Sequence, residues 1–225
     1  GTLREVFGPA GDRASAVAAL LYQYEIDREF PDAVMLEAKV APQAVEESAV
    51  AGRLDLRDKV MITIDGASSK DLDDAVSLER DGLGRWVLGV HIADVSHYVR
   101  PGSALDLEAW ERGTSVYFAD QVVPMLPREL SNGICSLNPR VDRLALSCVM
   151  TLTPEGEVVD HTIAKSVIRT TERMTYEDCN ALLAHSDPAL AERYARILPM
   201  LEDMAALSRV LEGRRRRRGA LELDT

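Results

Sequence analysis

The sequence predicts an α+β protein, because helical and strand patterns occupy separate parts of the chain. Hydrophobic residues recur every three or four positions near both ends, which indicates helices, whereas apolar runs separated by turns fill the middle, which indicates strands. The chain has 225 residues, and 46% of them are hydrophobic, which is enough to bury a core in one large or two small domains.

The opening segment predicts two helices. Asp12 suits the N-cap of the first, whose apolar residues follow at helical spacing: Val17, Leu20, Leu21 and Tyr24. Pro31 suits the first turn of a second, short helix, because a helix leaves its first N–H groups unbonded and proline has none to lose.

The middle of the chain predicts two hairpins. A strand over residues 60–64 precedes the first hairpin, which is formed by residues 75–78 and 86–92 around a glycine-containing turn. The second is formed by residues 144–152 and 157–168. We therefore expect antiparallel pairing to dominate the sheet.

Between the hairpins the pattern is less regular. Ser103 or Asp106 is expected to cap a short helix through Trp110, and a brief strand is expected at residues 115–118. Residues 124–139 contain three prolines and read as a loop long enough to be functional.

The last part of the chain predicts one long amphipathic helix over residues 190–211. Its apolar positions step by three or four: Leu190, Tyr194, Ile197, Leu201, Met204, Leu207 and Leu211. The basic run Arg214–Arg218 follows, and residues 219–223 then read as a strand.

Charge and cysteine content restrict the class of protein. The net charge of −11 argues against a polyanionic partner, unless cationic side chains line the binding path locally. The three cysteines, which form no CxxC pair, predict neither a disulfide framework nor a zinc ribbon. With no apolar stretch of about 18 residues and no leader pattern, we expect a cytoplasmic protein that does not enter a membrane.

Four aspartates within ten residues are the main functional clue: Asp65, Asp71, Asp73 and Asp74. Two carboxylates ~4 Å apart repel by roughly 4 kcal/mol at an effective dielectric of 20, so a shared site needs cations to offset the repulsion. Carboxylate ligands without histidine or cysteine favour Mg²⁺ or Mn²⁺ over zinc.

The path of the chain decides whether the four carboxylates can meet. In an extended segment Asp71 and Asp73 share one face and Asp74 the other, whereas a turn at residues 66–69 and a non-extended entry into the next strand bring Asp65 back beside them. The alternative is an exposed acidic turn, in which Asp71 caps backbone amides and Lys70 neutralises its neighbours.

The aspartate cluster and the segments after it resemble the catalytic (RNB) domain of the RNase II/RNase R family, with bacterial RNase R the nearest match. The residues that carry the resemblance fall in the family's order: Thr63–Gly66, Asp71–Asp74, His91–Val99, Gly113–Tyr117, Pro124–Pro127, Leu130–Pro139 and Asp142–Ala145. It implies a curved, mostly antiparallel sheet surrounded by helices. It also implies a fragment, in which residues 1–50 are a helical lead-in after a missing OB-type domain and residues 51–225 are the N-terminal portion of the catalytic domain.

The resemblance further implies an activity and a set of site residues. The family hydrolyses single-stranded RNA processively from the 3′ end to nucleoside 5′-monophosphates, by a two-metal mechanism with Mg²⁺, for which Mn²⁺ can substitute. On this analogy Asp65, Asp71, Asp73 and Asp74 are the catalytic and metal-binding carboxylates, and Tyr117 stacks on an RNA base. The family's late arginine and glutamate lie beyond this sequence, so the alternative is an RNA-binding or regulatory fragment that does not cut.

Other residues leave further alternatives open. His91, Asp94 and His97 invite a zinc site, although a hydrogen-bonded structural segment is preferred because their number and type suit zinc poorly. The basic run Arg214–Arg218 either contacts RNA phosphates or is a solvated helix end favoured by the helix dipole. Further candidates for the RNA path are Arg140, Arg143, Arg169 and Arg173.

Overall fold

A computed structural model of the protein describes residues 2–9, 11–119 and 121–220. These residues form two compact units, residues 1–41 with 99–128 and residues 42–98 with 129–225. The predicted boundary between residues 50 and 51 stays a prediction. The predicted strand at residues 219–223 lies largely outside the described residues.

The described residues of the first unit form three helices and a small sheet. Its elements are α1 (Arg13–Gln23), α2 (Asp32–Val40), α4 (Ala104–Arg112), β5 (Val116–Tyr117) and β6 (Val122–Val123). The expected cap of α1 is confirmed, since Asp12 accepts a hydrogen bond from the Ser15 N–H at 2.8 Å. Ser103 caps α4 in the same way, and Pro31 is the N-cap of α2.

The second unit is built on a seven-stranded sheet. The strands are β1 (Leu54–Asp55), β2 (Ile62–Asp65), β3 (Asp74–Arg80), β4 (Trp86–Ala93), β7 (Asp142–Leu152), β8 (Val158–Arg169) and β9 (Glu172–Thr175). Their order across the sheet is β1-β8-β7-β4-β3-β2-β9. Among these described strands four neighbouring pairs are antiparallel, and two pairs, β1–β8 and β2–β9, are parallel. The mixed class, the mostly antiparallel sheet and both predicted hairpins are therefore confirmed.

Helices cover part of one face of this sheet. They are α5 (Tyr176–Leu183), α6 (Pro188–Arg193) and α7 (Leu198–Arg217), while α3 (Glu47–Val50) precedes β1. Ile62, Leu78 and Trp86 from the strands share a buried cluster with Leu182, Ile197 and Leu201 from the helical segment. A second cluster includes Met61, Leu72, Ala93 and Leu137. The sheet is thus packed on both faces near the start of β3.

The predicted single helix over residues 190–211 is wrong. Helix α6 ends at Arg193, α7 begins at Leu198, and a turn lies between them. Pro199 explains the break, because proline is tolerated in the first turn of α7 but not inside a continuous helix. The apolar stripe was nevertheless informative, since Tyr194, Ile197 and Leu201 enter one core.

Two further features were not predicted. Residues Glu129–Ile134 form a π-helical turn inside the segment that reads as a loop. Strand β9, only four residues long, adds to the edge of the sheet beside β2.

No helix among the described residues has both the length and the apolar character to cross a membrane.

Candidate active site

The four aspartates lie in the connection between β2 and β3. Asp65 is the last residue of β2 and Asp74 the first of β3, so Asp71 and Asp73 belong to the loop that joins the two strands. The predicted turn is confirmed, because the Ser69 N–H donates to the Gly66 carbonyl at 3.0 Å. The chain leaves the sheet after Asp65 and returns to it at Asp74.

The four carboxylates are close enough to influence one another. The pKa of Asp73 is raised, first by burial and then by the negative charges of Asp71, Asp74 and Asp65. Asp73 is nevertheless accessible to solvent, so the protein atoms around its carboxylate displace part of its water without enclosing it. The pKa of Asp65 is also raised, by burial and by the charges of Asp74 and Asp71, against the opposing charge of Arg173.

Arg173 holds the first half of the loop. It lies on β9, opposite Thr63 of β2, and its Nη2 donates to three loop carbonyls. The distances are 3.2 Å to Gly66, 2.9 Å to Ala67 and 2.7 Å to Ser69. Arg173 had been a candidate for the RNA path, and the structure gives it a supporting role in the acidic loop.

Ser136 holds the second half of the loop. Its hydroxyl donates to the Lys70 carbonyl at 2.9 Å and accepts from the Leu72 N–H at 3.1 Å. The Leu137 N–H donates to the Leu72 carbonyl at 2.8 Å. Leu72 stands between Asp71 and Asp73 in the sequence, and its side chain is buried. This explains why the motif Leu130–Pro139 accompanies the aspartates, which the sequence alone did not reveal.

The other arginine candidates lie elsewhere. Arg143 is buried and donates to the carbonyls of Ser136 and Gly133, so it supports the neighbouring loop and is not on an exposed RNA path. Arg140 and Arg169 line a cleft of about 370 Å³ toward the start of β2, with Lys59 and Arg196 among its other residues. That cleft is at the opposite end of β2 from Asp65.

The preferred structural interpretation of the His91 segment is confirmed. The His91 ring is buried, with Nε2 3.1 Å from the Ser77 hydroxyl and Nδ1 2.7 Å from that of Ser147. Burial lowers its pKa to about 4. Asp94 forms an ion pair with Arg53 at 2.7 Å, which with the Ser96 hydrogen bond outweighs burial and lowers its pKa.

The chemistry of the aspartate cluster fits a hard divalent cation. All its donors are carboxylate oxygens, their mutual repulsion is relieved by positive charge, and Asp73 and Asp74 are exposed to solvent. Within the described ranges, no three His, Cys, Asp or Glu side chains already stand in the geometry of a metal site. Asp65, Asp71, Asp73 and Asp74 are the residues that would hold such a cation.

Two exposed tyrosines complete the candidate residues. Tyr117 lies on β5 in the first unit and is 66% exposed, and its stacking role stays a prediction. Tyr176, which sequence reasoning missed, begins α5 immediately after Thr175, the residue that pairs with Asp65. Its ring is 57% exposed, so the sheet register places an accessible aromatic near the acidic loop.

Residues 53–225 match the RNB domain, and the chain belongs to this family. It is 51% identical over its whole length to ribonuclease R 1 of Lactococcus lactis subsp. lactis (strain IL1403), and 44% identical over 219 residues to ribonuclease R of Thermotoga maritima. The resemblance to bacterial RNase R is therefore confirmed. The chain spans 27% of the Lactococcus protein and 31% of the Thermotoga protein.

The fold agrees with that of a solved relative. RNase R of Mycoplasma genitalium, in complex with ribose-methylated single-stranded RNA, matches with a TM-score of 0.88 and 31% identity, over 99% of this chain and 34% of that chain. The same protein has been solved with double-stranded RNA. At this identity and coverage, the likeness extends through nearly all of the present chain.

Proposed function

We propose that the chain is the aspartate-bearing part of a 3′-to-5′ exoribonuclease that hydrolyses single-stranded RNA processively to nucleoside 5′-monophosphates. The observation that supports this proposal is that the charges of Asp65, Asp71 and Asp74 are near enough to the Asp73 carboxylate to raise its pKa. Membership in the RNB family and relatives named ribonuclease R support it.

The proposed cofactor is Mg²⁺, with Mn²⁺ as a substitute, held by the four aspartates. Two such ions, when bound, supply activation of water for attack and neutralise charge on the phosphate and on the departing 3′ oxygen. The chain's own part is to keep the carboxylates together on a fixed loop, through Arg173 on one side and Ser136 on the other. No side chain has to act as a nucleophile.

The proposed substrate is unstructured RNA. The exposed ring of Tyr117 suits stacking on a base, which tolerates any sequence because every base has an aromatic face. The Mycoplasma relative has been solved with single-stranded RNA, which supports this substrate class. The exposed arginines at the end of α7 are further candidates for phosphate contacts.

We also propose a cytoplasmic location and a division into a helical lead-in and a catalytic portion. The RNB match begins at residue 53, which supports a catalytic portion from about there to residue 225. The free thiols of Cys135, Cys148 and Cys179 suit a reducing compartment.

A second candidate function is RNA binding without turnover. It is favoured by the length of the relatives, of which the chain covers 27% and 31%. A catalytic site completed by groups outside these residues would leave the chain able to hold RNA and unable to cut it.

A 5′-labelled RNA oligonucleotide separates the two functions. With Mg²⁺ we expect the 225-residue chain to shorten it from the 3′ end, with no shortening in chelator. The Asp73→Asn variant is expected to lose shortening and keep RNA binding, because it removes a charge but little surface. The matched control is Asp160→Asn, an exposed aspartate on β8.

Each result has one interpretation. Shortening that persists in chelator, or equal digestion of DNA, contradicts the exoribonuclease. Binding without shortening by the unaltered chain supports the second function. Equal loss of binding and cutting in Asp73→Asn contradicts the role given to Asp73.

A further inference from the structure

Arg173 and Asp65 share one face of the sheet. The parallel register of β2 and β9 pairs Thr63 with Arg173 and Asp65 with Thr175. Residues two apart on a strand point to the same face, so the side chains of Asp65 and Arg173 lie on one side of the sheet. The charge of Arg173 reaches Asp65, where it opposes the effect of the other carboxylates.

The contact between Arg173 and the loop is concentrated on a single nitrogen. Nη2 donates to the carbonyls of Gly66, Ala67 and Ser69, whereas Nε is buried without a hydrogen-bond partner among the described residues. Carbonyl oxygens repel one another, and the charge-assisted hydrogen bonds of a guanidinium group offset that repulsion. One side chain from another strand thus holds the chain from Gly66 to Ser69, in the first half of the acidic loop.

We propose that Arg173 is a positioning residue for the cation site formed by the four aspartates. It fixes the loop that separates Asp65 from Asp71, Asp73 and Asp74, and so sets the distances among their carboxylates before a cation arrives. This role rests on the proposed function, because it presumes that the aspartates bind cations.

The position and the charge of Arg173 affect cation binding in opposite directions. A fixed positive charge near the carboxylates repels an incoming cation, so removing the charge alone strengthens binding. Releasing the loop weakens binding, because the ligands must then be ordered at the moment the cation arrives. The sign of the change on removing Arg173 therefore shows which effect dominates.

The test is a Mn²⁺ titration of the 225-residue chain without RNA, followed by the loss of the free-ion electron paramagnetic resonance signal. For Arg173→Met we expect Mn²⁺ affinity to fall about tenfold or more, the range seen when groups that orient metal ligands are removed. Tighter binding would show that Arg173 acts by charge alone. Unchanged affinity with a lower melting temperature would show that it only stabilises the fold.

The Arg173→Lys variant keeps the charge and offers three N–H donors, but its nitrogen is one bond closer to the backbone. We expect an affinity between those of the unaltered chain and Arg173→Met. An affinity above that of the unaltered chain would overturn positioning by donation to the carbonyls, because the weaker grip on the loop would then favour the cation. The Lys variant also preserves the test if Arg173→Met does not fold. Arg85→Met, which removes a surface pair with Asp81, is the control and is expected to leave Mn²⁺ binding unchanged.

Different results contradict the proposed function and the role of Arg173. If the unaltered chain does not bind Mn²⁺, the proposed function is contradicted and the role of Arg173 with it. If the unaltered chain binds Mn²⁺ and Arg173→Met binds it equally well, only the role of Arg173 is overturned.

Discussion

The hydroxyl of Ser136 accepts a hydrogen bond from the backbone N–H of Leu72 at 3.1 Å, and both residues are buried. The same hydroxyl donates to the Lys70 carbonyl, so one side chain satisfies two backbone groups of the acidic loop. Because Leu72 lies between Asp71 and Asp73, this contact fixes the two carboxylates relative to the sheet.

Replacing Ser136 by Ala leaves the Leu72 N–H buried without this partner. A buried donor that loses its acceptor destabilises a protein by about 1 to 3 kcal/mol, and we expect that loss in urea unfolding. Ser131→Ala is the control. Among the described residues the Ser131 hydroxyl donates to the adjacent Asn132 at 3.4 Å, and its loss should change stability by no more than about 0.5 kcal/mol. Equal effects of the two variants would contradict the role of Ser136.

Removing one of the four like charges should stabilise the chain when no divalent cation is present. The Asp73 carboxylate feels the charges of Asp65, Asp71 and Asp74, and Asn keeps its size without its charge. In chelator we expect Asp73→Asn to have a higher melting temperature than the unaltered chain, because the substitution relieves this repulsion.

The effect of Asp73→Asn on stability should reverse when cations are added. Mg²⁺ stabilises the form that binds it, so it should raise the melting temperature of the unaltered chain more than that of Asp73→Asn. Scanning calorimetry with chelator and with Mg²⁺ measures both shifts. A variant that is less stable in chelator would show that Asp73 is held by favourable contacts rather than strained by repulsion.

The local features of the site could be predicted from the sequence because their signals lie close together along the chain. Gly66 and Ser69 indicated a turn, and the turn forms with the expected hydrogen bond. The apolar runs on either side predicted β2 and β3, so the placement of Asp65 and Asp74 at strand ends followed. These signals are set by neighbours within a few residues.

The supporting contacts could not be predicted, because they join distant parts of the chain. Arg173 reaches a loop more than one hundred positions earlier only because the four-residue strand β9 pairs with β2. A strand of four residues is too short to show the alternation of apolar and polar residues that predicts a strand, and tertiary packing decides which strand it pairs with. The break before Pro199 was missed for a related reason, since both helices keep one apolar stripe.

Tyr117 should contribute to RNA affinity through its ring rather than its hydroxyl. Stacking of a base on an aromatic ring is worth about 1 to 3 kcal/mol, so Tyr117→Ala should weaken binding of an RNA oligonucleotide by about 5- to 150-fold. Tyr117→Phe keeps the ring and is expected to bind nearly as well as the unaltered chain. Fluorescence anisotropy in chelator measures binding without hydrolysis, and equal losses in the two variants would refute stacking.

His91 connects neighbouring strands through hydrogen bonds. Its buried ring, on β4, lies between the hydroxyls of Ser77 on β3 and Ser147 on β7, and Ser147 in turn lies 2.6 Å from Ser166 on β8. A neutral imidazole has one donor and one acceptor, which suits two hydroxyl partners. A charged imidazolium would be buried without a counter-ion among these partners.

Stability should therefore fall as pH decreases through the range in which the unfolded histidine becomes protonated. Burial lowers the pKa of His91 from 6.5 to about 4, so the folded chain disfavours the proton that the unfolded chain accepts. The contribution of the neutral His91 ring to the free energy of unfolding is fully present above pH ~6.5 and is lost progressively toward pH ~4. The loss is about 3 kcal/mol, at about 1.4 kcal/mol per pKa unit. Urea unfolding from pH 7 to pH 4 should show this loss in the unaltered chain and in the control His161→Gln, whose histidine is exposed. In His91→Gln the free energy of unfolding should decline by about 3 kcal/mol less over the same pH range. All other titrating groups are the same in both proteins, so their effects cancel in the comparison. Parallel pH profiles for all three proteins would mean that the buried ring does not govern this part of the acid response.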